Sequence, residues 1–354
     1  MAGEGEEPLA LEPTDADILW VYDFNTDLNI YIHAVASCSP LVHGPYGYLE
    51  TSNGVLKGDL EMPRPDSPSF IVVDKLTGRL VAVDGEKVGR RLFHCLWSPP
   101  SLGVVNGREL VFFGGGDGVC YAFEPPAAAA PNAASAVQTL KKVWSYDCVP
   151  PQYKTFDYRS PDFLARYVAG DKRKSKLNTN DGTYVGPSEI MATPVFYRNR
   201  VYVAIGQDPA QGRGRGMLHC IDATKTGDIT QSGQVWTFDK IERSLSGVAI
   251  ADGRLYAVDL AGHVFCLDPD TGRCFWTYDL KCETWATPLV ADGKVYIGTA
   301  KGLRVLAAGP EAKELAKVNL GSPSYGTPVA VHRTLFVASQ KFLWAVEQGG
   351  GNNQ

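Results

Sequence analysis

Three absences narrow what this chain can be. No apolar run approaches the roughly 18 residues of a membrane-spanning helix, so no membrane span is expected. The first twenty residues, MAGEGEEPLALEPTDADILW, are acidic and lack both a basic start and an apolar stretch, so they do not read as a signal peptide. Positive charge is not in excess: the net charge is −5 and the pI about 5.7, which argues against a general nucleic-acid binder. The eight cysteines, Cys38, Cys95, Cys120, Cys148, Cys220, Cys266, Cys274 and Cys282, form no C-x-x-C pair and match no zinc spacing. They read as buried free thiols. G-x-S-x-G and H-E-x-x-H are also missing, and His33 and His43 stand alone with no triad nearby.

Turn formers and a repeat are what the chain does have. Glycine (37) and proline (23) are abundant, and 44% of residues are hydrophobic, as suits short strands joined by tight turns around a real core. Residues 243–279 and 283–309 are copies. Gly247-Val248 and Thr287-Pro288, Asp252-Gly253 and Asp292-Gly293, and Tyr256 and Tyr296 are each 40 residues apart. Thr327-Pro328 continues the series, and Thr193-Pro194, Ser98-Pro99 and Ser39-Pro40 begin earlier units. Strand ends repeat at Trp20, Trp144, Trp236 and Trp276, each followed two residues on by Tyr or Phe and then Asp. Four short strands per unit of about 40 residues predict an all-β propeller, whose stacked blades cover faces no single blade can bury.

The turn Asp268-Pro-Asp-Thr271-Gly272-Arg-Cys-Phe-Trp276 resembles the A-x-D-x-x-T-G-x-x-x-W signature of pyrroloquinoline-quinone (PQQ)-like propeller repeats, with Cys266 at a neighbouring apolar position. Asp74-Lys-Leu-Thr77-Gly78 starts the signature again, with Ala82 where Trp is expected, and Asp222 to Gly227 runs through an insertion to Trp236. The resemblance covers residues 9–347. It implies that the Trp docks between blades while the Asp and Thr-Gly shape the turn. The family includes eight-bladed quinoprotein alcohol dehydrogenases, BamB-type outer-membrane assembly lipoproteins, and many secreted bacterial propellers, the group this sequence is most similar to.

The whole chain, 1–354, is expected to be one propeller domain with repeats beginning near residues 37, 94, 189, 243, 283 and 323. That gives about six blades here, against eight in the complete family fold. Residues 9–24 read as the back half of a blade, Leu9–Pro13 as a third strand and Trp20–Phe24 as a fourth. Two readings stay open: an N-terminally truncated eight-bladed propeller, or a closed six-bladed ring in which Trp20–Phe24 completes the last blade. Insertions fall at 43–70, 125–137 and 148–188. The last carries Lys172–Lys176 and the aromatics Tyr153, Phe156, Tyr158, Phe163 and Tyr167, and reads as a lid or partner surface.

A search for chemistry yields one constellation. Four residues before each Thr-Pro-like pair sit His94, Glu189, Arg243 and Glu283, followed two residues later on the same strand faces by Leu96, Met191, Leu245 and Trp285. If these lie on first strands lining the central channel, side chains two apart share a face. His94, Glu189, Arg243, Glu283 and Trp285 then form a ligand-binding ring at the channel mouth, or an ion-pair network between blades. Two glutamates suit a hard cation, but Arg243 between them opposes it, so an anionic or sugar ligand fits better. Gly114–Gly118 and Gly206–Gly216 read as strand-to-strand turns rather than phosphate loops.

By resemblance, PQQ enzymes hold the quinone in the funnel over a Trp floor, with a bound Ca²⁺ and an Asp base. The alcohol dehydrogenases add a vicinal disulfide, for which this chain has no adjacent cysteines. The expectation is therefore a non-catalytic binding or scaffold propeller, a monomer without a resident cofactor. It would recognise a protein, peptide or carbohydrate in the periplasm or outside the cell. The alternatives are a PQQ- and Ca²⁺-dependent dehydrogenase of alcohols or sugars, and a BamB-like outer-membrane assembly scaffold.

Overall fold

The computed structural model describes residues 18–33, 38–56, 61–127, 136–154, 188–208 and 214–347. Their strands form six sheets, each built around antiparallel strands that follow one another along the chain, two of them with a fifth strand added in parallel. Blade I holds β1 (Leu41–His43), β2 (Tyr46–Glu50), β3 (Phe70–Asp74) and β4 (Leu80–Val83). Blade II holds β5 (Ser101–Val105), β6 (Arg108–Gly114), β7 (Val119–Phe123) and, after the short β8 (Gln138–Thr139), β9 (Lys142–Asp147). Blade III holds β10 (Val195–Tyr197), β11 (Arg200–Ile205), β12 (Met217–Asp222) and, after β13 (Gly227–Asp228), β14 (Gln234–Phe238). Blade IV holds β15 (Ala249–Ala251), β16 (Arg254–Val258), β17 (His263–Leu267) and β18 (Cys274–Asp279). Blade V holds β19 (Leu289–Ala291), β20 (Lys294–Thr299), β21 (Gly302–Ala307) and β22 (Glu314–Val318). Blade VI has β23 (Val329–Val331), β24 (Thr334–Ala338) and β25 (Leu343–Glu347).

Local sequence dictates the turns. Asp252-Gly253 and Asp292-Gly293, which join first to second strands, have positive φ at both residues (49° and 71°, 49° and 65°). That is the type I′ geometry whose twist matches a hairpin, and Gly adopts it without strain. In the third-to-fourth turns the Asp carboxylate does the shaping. Asp268 Oδ1 accepts from the backbone N–H of Asp270 and Thr271, and Asp74 Oδ1 does the same for Leu76 and Thr77.

The cores lie between sheets, not within them. One cluster joins Phe112 and Trp144 of blade II to Val201, Val203 and Ile205 of blade III. Another joins Tyr48 and Phe70 of blade I to Phe113 and Phe123 of blade II, with the Phe70 and Phe113 rings stacked 5.0 Å apart. The pattern continues from III to IV, IV to V and V to VI. Two connections stitch blades further: β8 pairs in parallel with β4, and β13 with β9, so the third-to-fourth loops of blades II and III each extend the preceding blade. All eight cysteines are free and six of them are buried, as their placement in apolar strands implied.

One expected strand is not one. Trp20–Phe24 was read as a fourth strand, but Asp23 caps a short helix, α1 (Phe24–Leu28), accepting from the N–H of Asn25 and Thr26. An Asp ahead of Phe-Asn-Thr-Asp satisfies helix N–H groups that a strand would have left to a neighbour. Leu9–Pro13, residues 128–135 of the second insertion, and 155–187 with Lys172–Lys176, Phe156, Tyr158, Phe163 and Tyr167 lie outside the described residues. Tyr153, at the start of that insertion, is buried and its hydroxyl accepts from the N–H of Arg215.

Candidate functional site

The segments ahead of the first strands are fixed the same way in three blades. Glu189 O accepts from Gly206 N, Arg243 O from Leu260 N and Glu283 O from Ala300 N, at 3.2, 3.0 and 2.9 Å. The partners are always 17 residues apart, so residues equivalent by spacing are equivalent in space. His94 departs from the pattern: its carbonyl accepts from Val55 N of the preceding blade.

These residues do not lie on the first strands, which corrects the sequence expectation. Glu189, Arg243 and Glu283 each precede the first strand of their blade by six residues. Hydroxyl clamps hold the blade IV to VI segments where a ladder would otherwise form. Ser244 Oγ donates to Val258 O, Thr284 Oγ1 to Gly298 O and Ser324 Oγ to Ala338 O, at 2.7, 2.6 and 2.7 Å. Side chains still alternate where the run is extended: Lys281, Glu283 and Trp285 are exposed, Cys282, Thr284 and Ala286 buried.

The expected ring resolves into two joined parts. On one side His94 is buried, its Nδ1 3.9 Å from a carboxylate oxygen of both Glu189 and Asp208. The rings of His33 and Trp97 meet it edge-on at 4.5 and 4.8 Å. Burial, and secondarily the His33 ring, push the His94 pKa down to about 3, so the imidazole is neutral at physiological pH. The link to the other side is Arg243, whose guanidinium donates to Asp208 O at 3.2 Å. There Arg243 and Glu283 line a cleft of about 460 Å³ together with Glu242, His263, Asp279 and Lys281. Trp285, 40% exposed, is tied to this cleft through Glu283, its indole N–H donating to Glu283 Oε1 and its ring 5.2 Å from Tyr325.

Thus the structure brings His94 to Glu189, Arg243 to the cleft that Glu283 also lines, and Trp285 to Glu283. Sequence reading missed Asp208, His33, Trp97, Lys281 and His263. Asp208 follows the Gly206-Gln turn, whose glycine sits 2.6 Å from Arg243 Cα when a Cβ is placed on it. A glycine in a turn opposite a candidate Arg was the available signal.

The donor set does not suit a bound Ca²⁺. Glu189 and Asp208 face an imidazole, and Asp208 turns its carbonyl to a guanidinium. Among the described residues no three His, Cys, Asp or Glu side chains converge as metal ligands.

Residues 214–313 match the family described as outer membrane protein assembly factor BamB. A curated protein of that name from Burkholderia pseudomallei (strain K96243) is 39% identical over 101 residues, which is 28% of this chain. The match spans only 24% of that relative's length. Among solved structures, BamB from Moraxella catarrhalis superposes with a TM-score of 0.54 at 15% identity, covering 86% of this chain and 70% of that one. Quinohemoprotein alcohol dehydrogenase from Comamonas testosteroni gives a TM-score of 0.47 at 14% identity, covering 84% and 46%. Sequence match over residues 214–313 and fold across the six sheets agree on a β-propeller of PQQ-like repeats, the family the sequence resembles.

Proposed function

We propose that this chain is a non-catalytic binding propeller that recognises a protein or peptide through the cleft at Arg243 and Glu283. The observation that carries the reading is the make-up of that cleft. Cationic Arg243 and Lys281 alternate with Glu242, Asp279 and Glu283, beside a half-exposed Trp285–Tyr325 pair. Arg and aromatic anchors set among charges of both signs suit a polypeptide surface, which offers carboxylates, amines and apolar side chains together. A small anion would use only the two cations. The Glu283 carboxylate holds the Trp285 indole in place, so the aromatic is preorganised rather than mobile.

The relative named as an outer membrane protein assembly factor supports a protein partner, in the manner of a BamB-like scaffold. In this reading the chain works in the bacterial periplasm, and no helix among the described residues is long and apolar enough to cross a membrane. The buried, neutral His94 serves to pack the channel end of blades I to III.

Titration of the full chain with PQQ and Ca²⁺, followed by dye reduction with alcohols and sugars, separates this reading from a dehydrogenase. The proposal expects neither saturable quinone binding nor turnover. Saturable binding with turnover overturns it.

A further inference from the structure

A row of three residues crosses each central blade. In blade III Tyr202 pairs with Cys220 and Cys220 with Trp236; in blade IV Tyr256 pairs with Cys266 and Cys266 with Trp276. The indole lies 5.9 and 6.0 Å from the Tyr ring and reaches the next blade, where its N–H donates to Pro269 O and Gly309 O at 3.0 Å. Blade II repeats this with Phe112, Ala122 and Trp144, and Trp144 donates to Ala223 O. In blade V the row reads Tyr296, Val305, Ala316.

Ala316 stands where blades II to IV have the indole, and the apolar cluster it packs on, Leu303, Val305, Leu320 and Val337, walls a cavity of about 640 Å³ towards blade VI. Tyr296, Val305, Leu320, Leu335, Val337 and Trp344 line it. Blade I also has alanine in this row, Ala82, but it is fully buried, in the cluster that contains Phe113, Tyr121 and Phe123. The volume and apolar walls of the blade V–VI groove are those of a ligand pocket.

We propose that this groove is a second binding site, which takes an aromatic side chain, indole above all, from an extended peptide of a partner protein. The chain itself shows what fits. Three equivalent grooves hold an indole from the neighbouring strand, and Trp20 shows that the indole need not come from a sheet. It lies in a segment that is not a strand, yet donates to Lys75 O at 3.0 Å and packs on Gly78 as Trp236 packs on Gly272. Residues 1–17 and 348–354 contain no aromatic side chain, so neither terminal segment supplies one. Among the described residues β25 has β24 on one side and no strand on the other, so an extended peptide can hydrogen-bond along it while a side chain enters the groove. The exposed Leu343 and Val346 flank that edge.

The site is distinct from the Arg243 cleft and does not depend on it. The test is fluorine NMR of fluoroindole titrated with the full chain, repeated with a short Val-Trp-Val peptide as competitor and its Val-Ala-Val counterpart as control. Saturable binding is expected, displaced by the Trp peptide only and lost in Ala316→Trp, which sets an indole on the apolar cluster that walls the groove. If Ala316→Trp does not fold, Ala316→Leu is the smaller filler and weakens binding. No saturable binding, or binding that persists in a folded groove-filling variant, overturns the proposal.

Discussion

The indole N–H of Trp236 donates to the carbonyl of Pro269 on the next blade at 3.0 Å, while its ring occupies the space above Gly272. A Cβ on Gly272 would lie 2.7 Å from that ring, and the residue has φ +72°. One hydrogen bond and one missing Cβ thus join two blades, and the same pair recurs as Trp20 on Gly78. Trp236→Ala should cost about 3–5 kcal/mol in urea unfolding, because it empties a buried site and removes a hydrogen bond to Pro269 O, which then keeps only those from Tyr202 and Arg200. Gly272→Ala alone should also destabilise. In the Trp236→Ala background its cost should fall to that of the left-handed backbone alone, since the steric clash is gone. Additive costs in the double-mutant cycle would break the link.

The hydroxyl clamps make a second prediction. Thr284 Oγ1 is buried, donates to Gly298 O at 2.6 Å and accepts from Ala286 N. Thr284→Val keeps the shape and strands both partners, so a loss of about 1–3 kcal/mol is expected. Ser244→Ala should cost a similar amount through Val258 O. A midpoint unchanged by either substitution would show that the clamps are incidental.

His94 makes stability depend on pH. Its pKa falls from the ordinary imidazole value to about 3 on folding, so the unfolded chain binds its proton first. Its contribution is fully present above about pH 6.5, and is lost as pH falls from there towards 3. His219 behaves likewise, its pKa driven down to about 4 by burial. Burial raises the carboxyls of Glu50 and Asp117 instead, which tilts the profile the other way. The informative quantity is therefore the difference between variants. His94→Gln should lose less melting temperature than the parent between pH 6.5 and 4. Parallel profiles would mean that His94 is not held neutral.

At the cleft, stability and binding should separate. Trp285 is 40% exposed and its loss should change stability by less than about 1 kcal/mol, while removing an anchor worth about 2 kcal/mol or more of partner affinity. A Trp285→Ala protein that unfolds readily would make this indole structural.

Much of the fold is legible in the sequence because a repeat states its own register. The 40-residue spacing of Thr287 and Thr327 reappears as a hydrogen bond, Thr287 N to Thr327 Oγ1, and Gly247 N to Thr287 Oγ1 is its counterpart one blade earlier. The spacing also places Glu189, Arg243 and Glu283 as equivalents. It could not show that they precede the strand. That follows from Ser244 and Thr284, whose hydroxyls replace ladder bonds and whose own 40-residue spacing went unread. Trp20–Phe24 copies a fourth strand in residue types, yet Asp23 has local N–H groups to cap, and the local bonds prevail. Asp208, His33 and Trp97 come to His94 from other segments, through contacts that no single-repeat pattern contains.

Site-specific photo-cross-linking tests the central claim most directly. A benzophenone side chain replaces Trp285 at the cleft or, as a control, the exposed Val104 of blade II, in cells that produce the full chain. The account predicts one discrete protein adduct from position 285, none from 104, and loss of the adduct when Arg243→Glu is added to a protein that still folds. Equal adducts from both positions, or an adduct at 285 indifferent to Arg243, would contradict it.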